Sequence, residues 1–353
     1  MEKFDILKTK ARSGPILVTG HTGFKGTWMT LLLESLGIEV VGLSLPATAD
    51  SLYTLLRRES QIREMFVDIR NPDLTAKAVS SLKPSLVIHM AADPLVLESY
   101  QQPRKTFETN VLGTVNLLDA CRKKEVEHVQ VITTDKVYEN LNTGKRFVET
   151  DSLKGKDPYS ASKVGTEAVV SAWKQLAEVM GDTKVHSVRA GNVIGGGDLA
   201  ANRLLPDVIR SIKSGESLFI RNPSSTRPWQ HVLDPLQGYL MALSFNVHHQ
   251  KQEDFNFGPS EPSLQVKEVL EIVSKRYPDF VWTEGEDAKS KMESTRLDLD
   301  SQKAVDLLSW HPKLTQEAAI DSTLAWWASI TEEGLPPELA CSTSIEALAS
   351  GDE

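Results

Sequence analysis

Cysteine is almost missing from this sequence, with only Cys121 and Cys341 in 353 residues. Two cysteines build neither a disulfide framework nor a cysteine-rich metal centre, and no metal site is expected; their scarcity fits a reducing compartment. Basic charge is also short. Lysine and arginine number 39 against 48 acidic residues, giving a net charge of −9 and a pI near 5.5. Such a surface does not attract nucleic acid or anionic lipid, although a local basic cleft still suits a phosphorylated ligand. No apolar run approaches the ~18 residues of a membrane span. Residues 1–14 lack the basic segment and apolar stretch of a secretory signal. A soluble, cytoplasmic protein is the expectation. Aromatic residues make up only 7%, yet 40% hydrophobic and 25% charged is ordinary for a chain that buries a core. That excludes a mainly disordered or collagen-like polymer. At roughly 150 residues per domain the length allows two domains, or one enlarged one.

What is present alternates. Short apolar or β-branched runs at 16–19, 39–43, 65–67, 86–90, 129–133 and 185–188 are separated by helical spacing at 24–36, 74–82, 106–123 and 159–176. Strands alternating with helices indicate βαβ units, and nearly continuous apolar strands are those covered on both faces. The pattern predicts an α/β fold with a doubly wound parallel sheet of Rossmann type. Helices are predicted at 204–213, 232–245, 266–277, 301–308 and 316–327, among Arg- and Pro-containing loops, in a smaller mixed α/β substrate domain. The expected division is 1–188, with a returning segment at about 230–257, for the nucleotide-binding domain. Residues 189–229 and 258–330 form the substrate domain, and 331–353 a tail with a loose end.

The first strand runs into Gly20-His21-Thr22-Gly23-Phe24-Lys25-Gly26 and then a helix. Glycines allow a tight turn, close approach of the backbone to a pyrophosphate, and close packing of helix on strand. The helix N-terminus offers free N–H groups to an anion. The second strand ends at Ser44-Leu45, without the acid that many NAD sites direct at the ribose, so this strand does not choose NAD over NADP. Asp68, followed by Ile69 after the third strand, suits either an adenine edge or simple solvation. Ala91-Ala92 after the fourth are small enough for a nicotinamide ribose to pass, or for a packed turn.

The sharpest chemical signal is Tyr159-Ser-Ala-Ser-Lys163. Positions i and i+4 share a helix face, so phenol and ammonium can act together. A phenol is a poor base at its ordinary pKa of about 10, and a neighbouring cation lowers that value. Thr134 stands at the carboxyl end of the strand 129–133, followed by Asp135-Lys136. A hydroxyl there, facing a Tyr/Lys helix, is an oxidoreductase constellation.

With these residues the chain resembles the extended short-chain dehydrogenases/reductases. Within them it is most similar to the nucleotide-sugar 4,6-dehydratases, and to their CDP-glucose branch. Besides the glycine loop, the resemblance rests on Thr109-Asn-Val-Leu-Gly-Thr114, Thr133-Thr-Asp-Lys-Val-Tyr-Glu-Asn140 and Asp157-Pro-Tyr-Ser-Ala-Ser-Lys163. It continues through Arg189-Ala-Gly-Asn-Val-Ile-Gly-Gly-Gly-Asp198, Ile220-Arg-Asn-Pro and Arg227-Pro-Trp-Gln-His-Val-Leu233. It implies tightly bound, recycled NAD and a nucleoside-diphosphate hexose as substrate. It also implies a homodimer built through the helices around 106–123 and 159–176. The reaction it implies oxidises sugar C4, eliminates water across C5 and C6, and returns the hydride to C6.

Tyr159 would take the C4 hydroxyl proton, Thr134 would bond the C4 oxygen, and Lys163 a ribose. Asp135 is the candidate acid at C6. Lys136 is a C5 base only if its pKa is strongly lowered, and otherwise orients or stabilises the enolate. Around the cofactor the resemblance implies Gly20, Thr22, Gly23, Phe24, Lys25, Gly26, Asp68, Ile69, Ala91, Ala92, Asn110, Thr133, Tyr159 and Lys163. Asn110 would position the lysine, with a plain helix-surface asparagine as the rival reading. Toward the substrate stand Asp93, Ser99, Asn192, Arg203, Arg221, Arg227, Trp229 and His231. The arginines are fork-like donors for a diphosphate or ordinary surface charges, and Asn192 is a ligand or a turn residue.

Three positions depart from that pattern: Asp93, Leu97 and Met292. The CDP-glucose branch runs Gln-Pro-Leu-Val-Arg after the two alanines, where this chain has Asp93-Pro-Leu-Val-Leu97, lowering local charge by about two units. Met292-Glu293 stands where that branch has His-Glu. Another hexose, or another outcome at the same carbon, therefore stays open. So do a nucleotide-sugar epimerase or reductase and a non-catalytic NAD-binding regulator. Asp135 beside Lys136 favours elimination over epimerisation, and the presence of both Tyr159 and Lys163 disfavours the regulator.

Overall fold

The structure is a computed structural model that describes residues 3–285 and 297–350. Seven strands form one parallel sheet: β1 (Ile16–Thr19), β2 (Val40–Ser44), β3 (Arg63–Phe66), β4 (Leu86–His89), β5 (His128–Ile132), β6 (Lys184–Ala190) and β7 (Phe255–Phe257). Their spatial order is β7-β6-β5-β4-β1-β2-β3. The chain therefore winds outward in one direction from β1 to β3, then returns to β4 and winds in the other. The crevice at that reversal, outside the carboxyl ends of β1 and β4, is where such sheets bind ligands. Register across it is Thr19 opposite Leu43 on one side and His89 on the other.

Alternate residues of each strand feed opposite cores. Ile16, Val18, Leu86, Ile88 and Val188 join Trp28, Met29 and Leu33 of α1 (Phe24–Ser35) on one face. Leu17, Val41, Val87, Val129 and Val131 join Val79, Leu82, Leu117 and Leu118 on the other, beside Val170 of α2 (Pro158–Met180). All of these side chains are buried, and full burial of a Leu or Val contributes about 1.5–3 kcal/mol. This explains why the strands read as continuous apolar runs. Helix α3 (Leu233–His249) packs on the first face with Leu236, Leu240 and Leu243, and β7 then pairs with β6. Beyond the sheet, short paired strands join Asn192–Ile194 to Trp229–His231 and Leu218–Ile220 to Trp282–Glu284.

Two elements differ from expectation. The helix predicted over 106–123 is broken into Pro103–Phe107, a π-helical turn at Glu108–Leu112, and Gly113–Lys123. The wider turn frees the Asn110 carbonyl to accept from the hydroxyls of Thr114 (2.7 Å) and Thr166 (2.8 Å). The tail also carries a helix that the periodicity did not suggest, and its end at 351–353 lies outside the described residues. Pro337–Ser350 is a helix, and Cys341 and Leu348 bury against the first core with Ile345 partly buried beside them. Their i, i+4, i+7 spacing is the amphipathic signal for that stripe. No described helix is long and apolar enough to cross a membrane. Met292 and Glu293 lie outside the described residues.

Candidate active site

A cavity of about 990 Å³ opens at the sheet's carboxyl edge and extends between the sheet and the second half of the chain. One end is the glycine loop. Gly20 has φ +72°, and a Cβ there would lie 2.8 Å from the backbone of Ala91. A Cβ on Gly26 would lie 2.0 Å from the Gly20 carbonyl oxygen. The two glycines thus let β1, β4 and the start of α1 close on one another. The Thr19 hydroxyl braces the junction, accepting from the backbone N–H groups of Met90 and Ala91 at 3.1 Å each. Gly23 is the N-cap of α1 and no side chain caps it, so the first-turn N–H groups face the cavity unclaimed, as a pyrophosphate requires. This cradle of glycine backbone fits a dinucleotide.

Thr22, Gly23, Phe24, Lys25, Asp68, Ile69, Ala91 and Ala92 all line this end. The Thr22 hydroxyl is spent on Ser44 Oγ (2.7 Å) and the Leu45 carbonyl (3.0 Å). Asp68 is held by Arg70, whose guanidinium keeps the carboxyl below its usual range. Arg70 also lines the cavity, and sequence reasoning missed it. Lys25 reaches across to the Tyr239 hydroxyl of α3, 3.0 Å away. Burial, with Arg203 and Lys163 nearby, pulls its ammonium down to about 7.

The reacting end is assembled from β5, the turn after it, and α2. Asp157 caps α2, its carboxylate accepting from Ser160 N at 2.9 Å, and Pro158 supplies the fixed φ of a first helical position. Tyr159 and Lys163 then face the cavity one turn apart. Lys163 Nζ donates to the Ile132 carbonyl at 2.9 Å, and burial lowers it to about 8 against the raising influence of Glu167. Burial pushes the Tyr159 phenol up to about 12. A hydrogen bond with Thr134 pulls it back, and Asp135 adds to the rise. Contrary to the expectation from sequence, Lys163 does not bring the phenol down: burial outweighs every cation, and the cationic offset comes from Arg203.

Thr134, buried, donates to Asp135 Oδ1 at 2.9 Å and also accepts from Lys136 N, starting the short 3-10 turn Asp135–Val137. Asp135 is 1% exposed. Its Oδ1 lies 3.7 Å from Lys136 Nζ, which also reaches Asn192 Oδ1 at 3.5 Å. Tyr159, Thr134, Asp135, Lys136 and Asn192 therefore form one contiguous polar chain.

Arg203, Arg221, Arg227 and Trp229 line the far wall. Arg203 pairs with Asp198 at 3.0 Å, and Asp198 is another lining residue the sequence did not single out. Asp93 is also in the wall, with Oδ2 3.4 Å from Lys105 Nζ. Lys105 thus restores part of the positive charge missing at Leu97.

Three expected contacts are elsewhere. Ser99 is buried beneath the cavity, donating to the Val96 carbonyl and accepting from Tyr159 N at 3.1 Å, so it seats α2. His231 is buried behind the wall, where its Nδ1 accepts from Leu233 N. Asn110 lies behind as well. Its amide donates to Ser162 Oγ (2.8 Å) and the Asp93 carbonyl (3.1 Å) and accepts from Asp93 N (2.8 Å). It clamps the Asp93 loop to the tyrosine–lysine helix.

Comparison with known proteins agrees with this geometry. Residues 16–258 match the NAD dependent epimerase/dehydratase family. The CDP-glucose 4,6-dehydratase of Salmonella typhimurium is 38% identical over 323 residues, covering 88% of this chain and 89% of that protein. Among solved structures, the UDP-glucose 4-epimerase of Thermus thermophilus in complex with NAD is 26% identical, with a TM-score of 0.76 over 88% of this chain and 98% of that one. TunA, an NAD-dependent NDP-hexosamine 5,6-dehydratase of tunicamycin biosynthesis, is 25% identical, with a TM-score of 0.75 over 90% and 98%. The chain belongs to the NAD-dependent epimerase/dehydratase family.

Proposed function

We propose that this chain is a nucleotide-sugar 4,6-dehydratase that converts CDP-glucose to CDP-4-keto-6-deoxyglucose with bound, recycled NAD. The observation that carries the reading is the bonded chain of Tyr159, Thr134 and buried Asp135 with Lys136 beside it. A base for one carbon and a carboxyl for another stand within a few ångströms. Simple C4 epimerisation has no use for the second. The 38% identical CDP-glucose relative supports the nucleotide and sugar.

When bound, NAD+ supplies the reversible hydride acceptor that makes the reaction redox-neutral. The chain does the rest. Thr134 orients the C4 oxygen and Tyr159 takes its proton, with Lys163 as the fixed cation on the same helix face. The C4 ketone acidifies C5–H, and Lys136 faces the position where that proton departs or the enolate builds charge. Asp135 hands a proton to the leaving C6 hydroxyl. Arg203, Arg221 and Arg227 face the diphosphate, and Trp229 the base. On the same reading the protein is cytoplasmic and a homodimer. Exposed Tyr100, Phe107, Leu112, Val179 and Met180 give the outer helices an apolar face that a second copy would cover.

The test offers CDP-glucose and, separately, dTDP-, UDP- and GDP-hexoses, with NAD+ in catalytic amount. The expected result is a product lighter by one water that absorbs in alkali, from CDP-glucose first. Tyr159→Phe should reduce the rate by about 10²–10⁴-fold. An isobaric product, or NADH formed mole for mole, would replace the dehydratase by an epimerase or a dehydrogenase.

A further inference from the structure

Beneath the catalytic turn lies an ion pair that the mechanism above does not use. Glu167 follows Lys163 by one turn of α2, and Arg189 lies on β6; both side chains are 4% exposed. The pairing is bidentate, Arg189 Nε to Oε1 and Nη2 to Oε2, each at 2.8 Å. Burying two charges is expensive, and such a pair is a poor source of stability compared with apolar residues of equal volume. Its connections suggest another use. Thr133 donates its hydroxyl to Glu167 Oε1 at 2.5 Å, and Ser187 donates to Oε2 at 2.8 Å. Arg189 Nη1 donates to the Tyr138 hydroxyl at 2.7 Å, and that hydroxyl donates onward to Asn256 Oδ1 at 2.8 Å.

Thr133 and Tyr138 bracket the segment that carries Thr134, Asp135 and Lys136. Thr133 and Thr134 both line the cavity; with the Thr133 hydroxyl spent on Glu167, the Thr134 hydroxyl is the one that meets Asp135. Tyr138 anchors the other end of the 3-10 turn. Both ties converge on one rigid, planar pair whose carboxylate belongs to the helix of Tyr159 and Lys163.

We propose that the Glu167–Arg189 pair is a positioning device for catalysis. It pins the Thr134-Asp135-Lys136 turn at both ends against the tyrosine–lysine helix and thereby fixes the distance between the base and the acid. Glu167 and Arg189 touch neither sugar nor cofactor in this role. The kinetic side of the proposal rests on the dehydratase reading; the geometric side does not.

The test cuts each tie while leaving the ion pair whole, with Thr133→Val and Tyr138→Phe, and uses Thr133→Ser as the restoring variant. Amide hydrogen exchange across residues 133–138 needs no substrate. It should quicken in both cut variants and return to the wild-type rate in the serine variant. With an active enzyme, kcat should fall about tenfold or more, since small misplacements are costly in oriented reactions. KM should stay within about twofold, because the diphosphate anchors are untouched. Unchanged exchange would overturn the pin. Faster exchange with unchanged kcat would reduce the pair to a purely structural one. If one variant fails to fold, the other carries the same test. If wild-type protein converts no nucleotide hexose, the dehydratase reading falls while the exchange experiment still decides the pin.

Discussion

At Tyr159 and Lys163, burial works against both charged forms at once. The phenol is pushed up to about 12 and the ammonium down to about 8, so each is harder to ionise than in water. Lys163 assists only as a cation, and its folded pKa lies below the ordinary 10.5. The protonated form is therefore complete well below pH 8 and lost as pH rises through that value. We expect the rate to decline above about pH 8 in the CDP-glucose assay with catalytic NAD+. Competitive acetylation of Lys163, read by mass spectrometry, should show a midpoint near the same pH. A midpoint near 10.5 would mean that the cavity leaves the ammonium wet. Lys163→Met should remove the alkaline dependence together with most of the activity. Asp135 shows the limit of residue-by-residue reading. Its place beside Thr134 was visible in the sequence, but its burial and its bond to the Thr134 hydroxyl come with the packing of the 3-10 turn against α2.

Elements rather than residues decide whether the cofactor end exists. Gly26 lies in the first turn of α1, where any side chain would strike the Gly20 carbonyl oxygen. Gly26→Ala must push α1 off the end of β1, and should abolish NAD binding while leaving the far wall able to take up a nucleotide. Titration calorimetry with NAD+ and with CDP separates the two. NAD+ binding within about threefold of wild type would show that the helix shifts without consequence. The strands and the glycine loop were legible in the sequence because each rests on a local signal: an apolar run, a turn that only glycine fits, an i, i+4 pair. The π-helical turn at Glu108–Leu112 was not. Asn110 in that turn accepts from the Thr166 hydroxyl and donates to Ser162 Oγ on another helix, ties that no local period reports. Ser99 and His231 were placed at the substrate for the same reason. Lying next to cavity residues in sequence does not determine which side of a strand or helix turn faces the ligand. The helix Pro337–Ser350 was missed because its apolar stripe is narrow, with Cys341, Ile345 and Leu348 set among Ser, Thr and Ala.

At the scale of the whole molecule, four of the eight histidines are buried and held down by that burial: His89, His186 and His231 with no carboxylate against them, and His128 with only a partial offset from Glu127. His89 is wedged between the hydroxyls of Thr19 and Thr114. His128 and His186 meet edge to face between β5 and β6, and neither ring nitrogen of His128 has a partner among the described residues. Burial drives all four below the ordinary value of 6.5: His89 to about 3, His128 and His231 to about 4, and His186 well down. The folded chain therefore holds them neutral, whereas the unfolded chain protonates them near 6.5. Below that pH the unfolded state binds more protons, so stability is complete above it and falls as the pH drops toward about 4. Each fully shifted group costs up to about 1.4 kcal/mol per pH unit. All four act in the same direction, so the loss of stability steepens as the pH falls below 6.5. Urea midpoints followed by circular dichroism at pH 7, 6 and 5 should fall at each step. A midpoint that stays level to pH 5 would mean that these rings find water or partners on protonation, and that the sheet tolerates charge between β5 and β6.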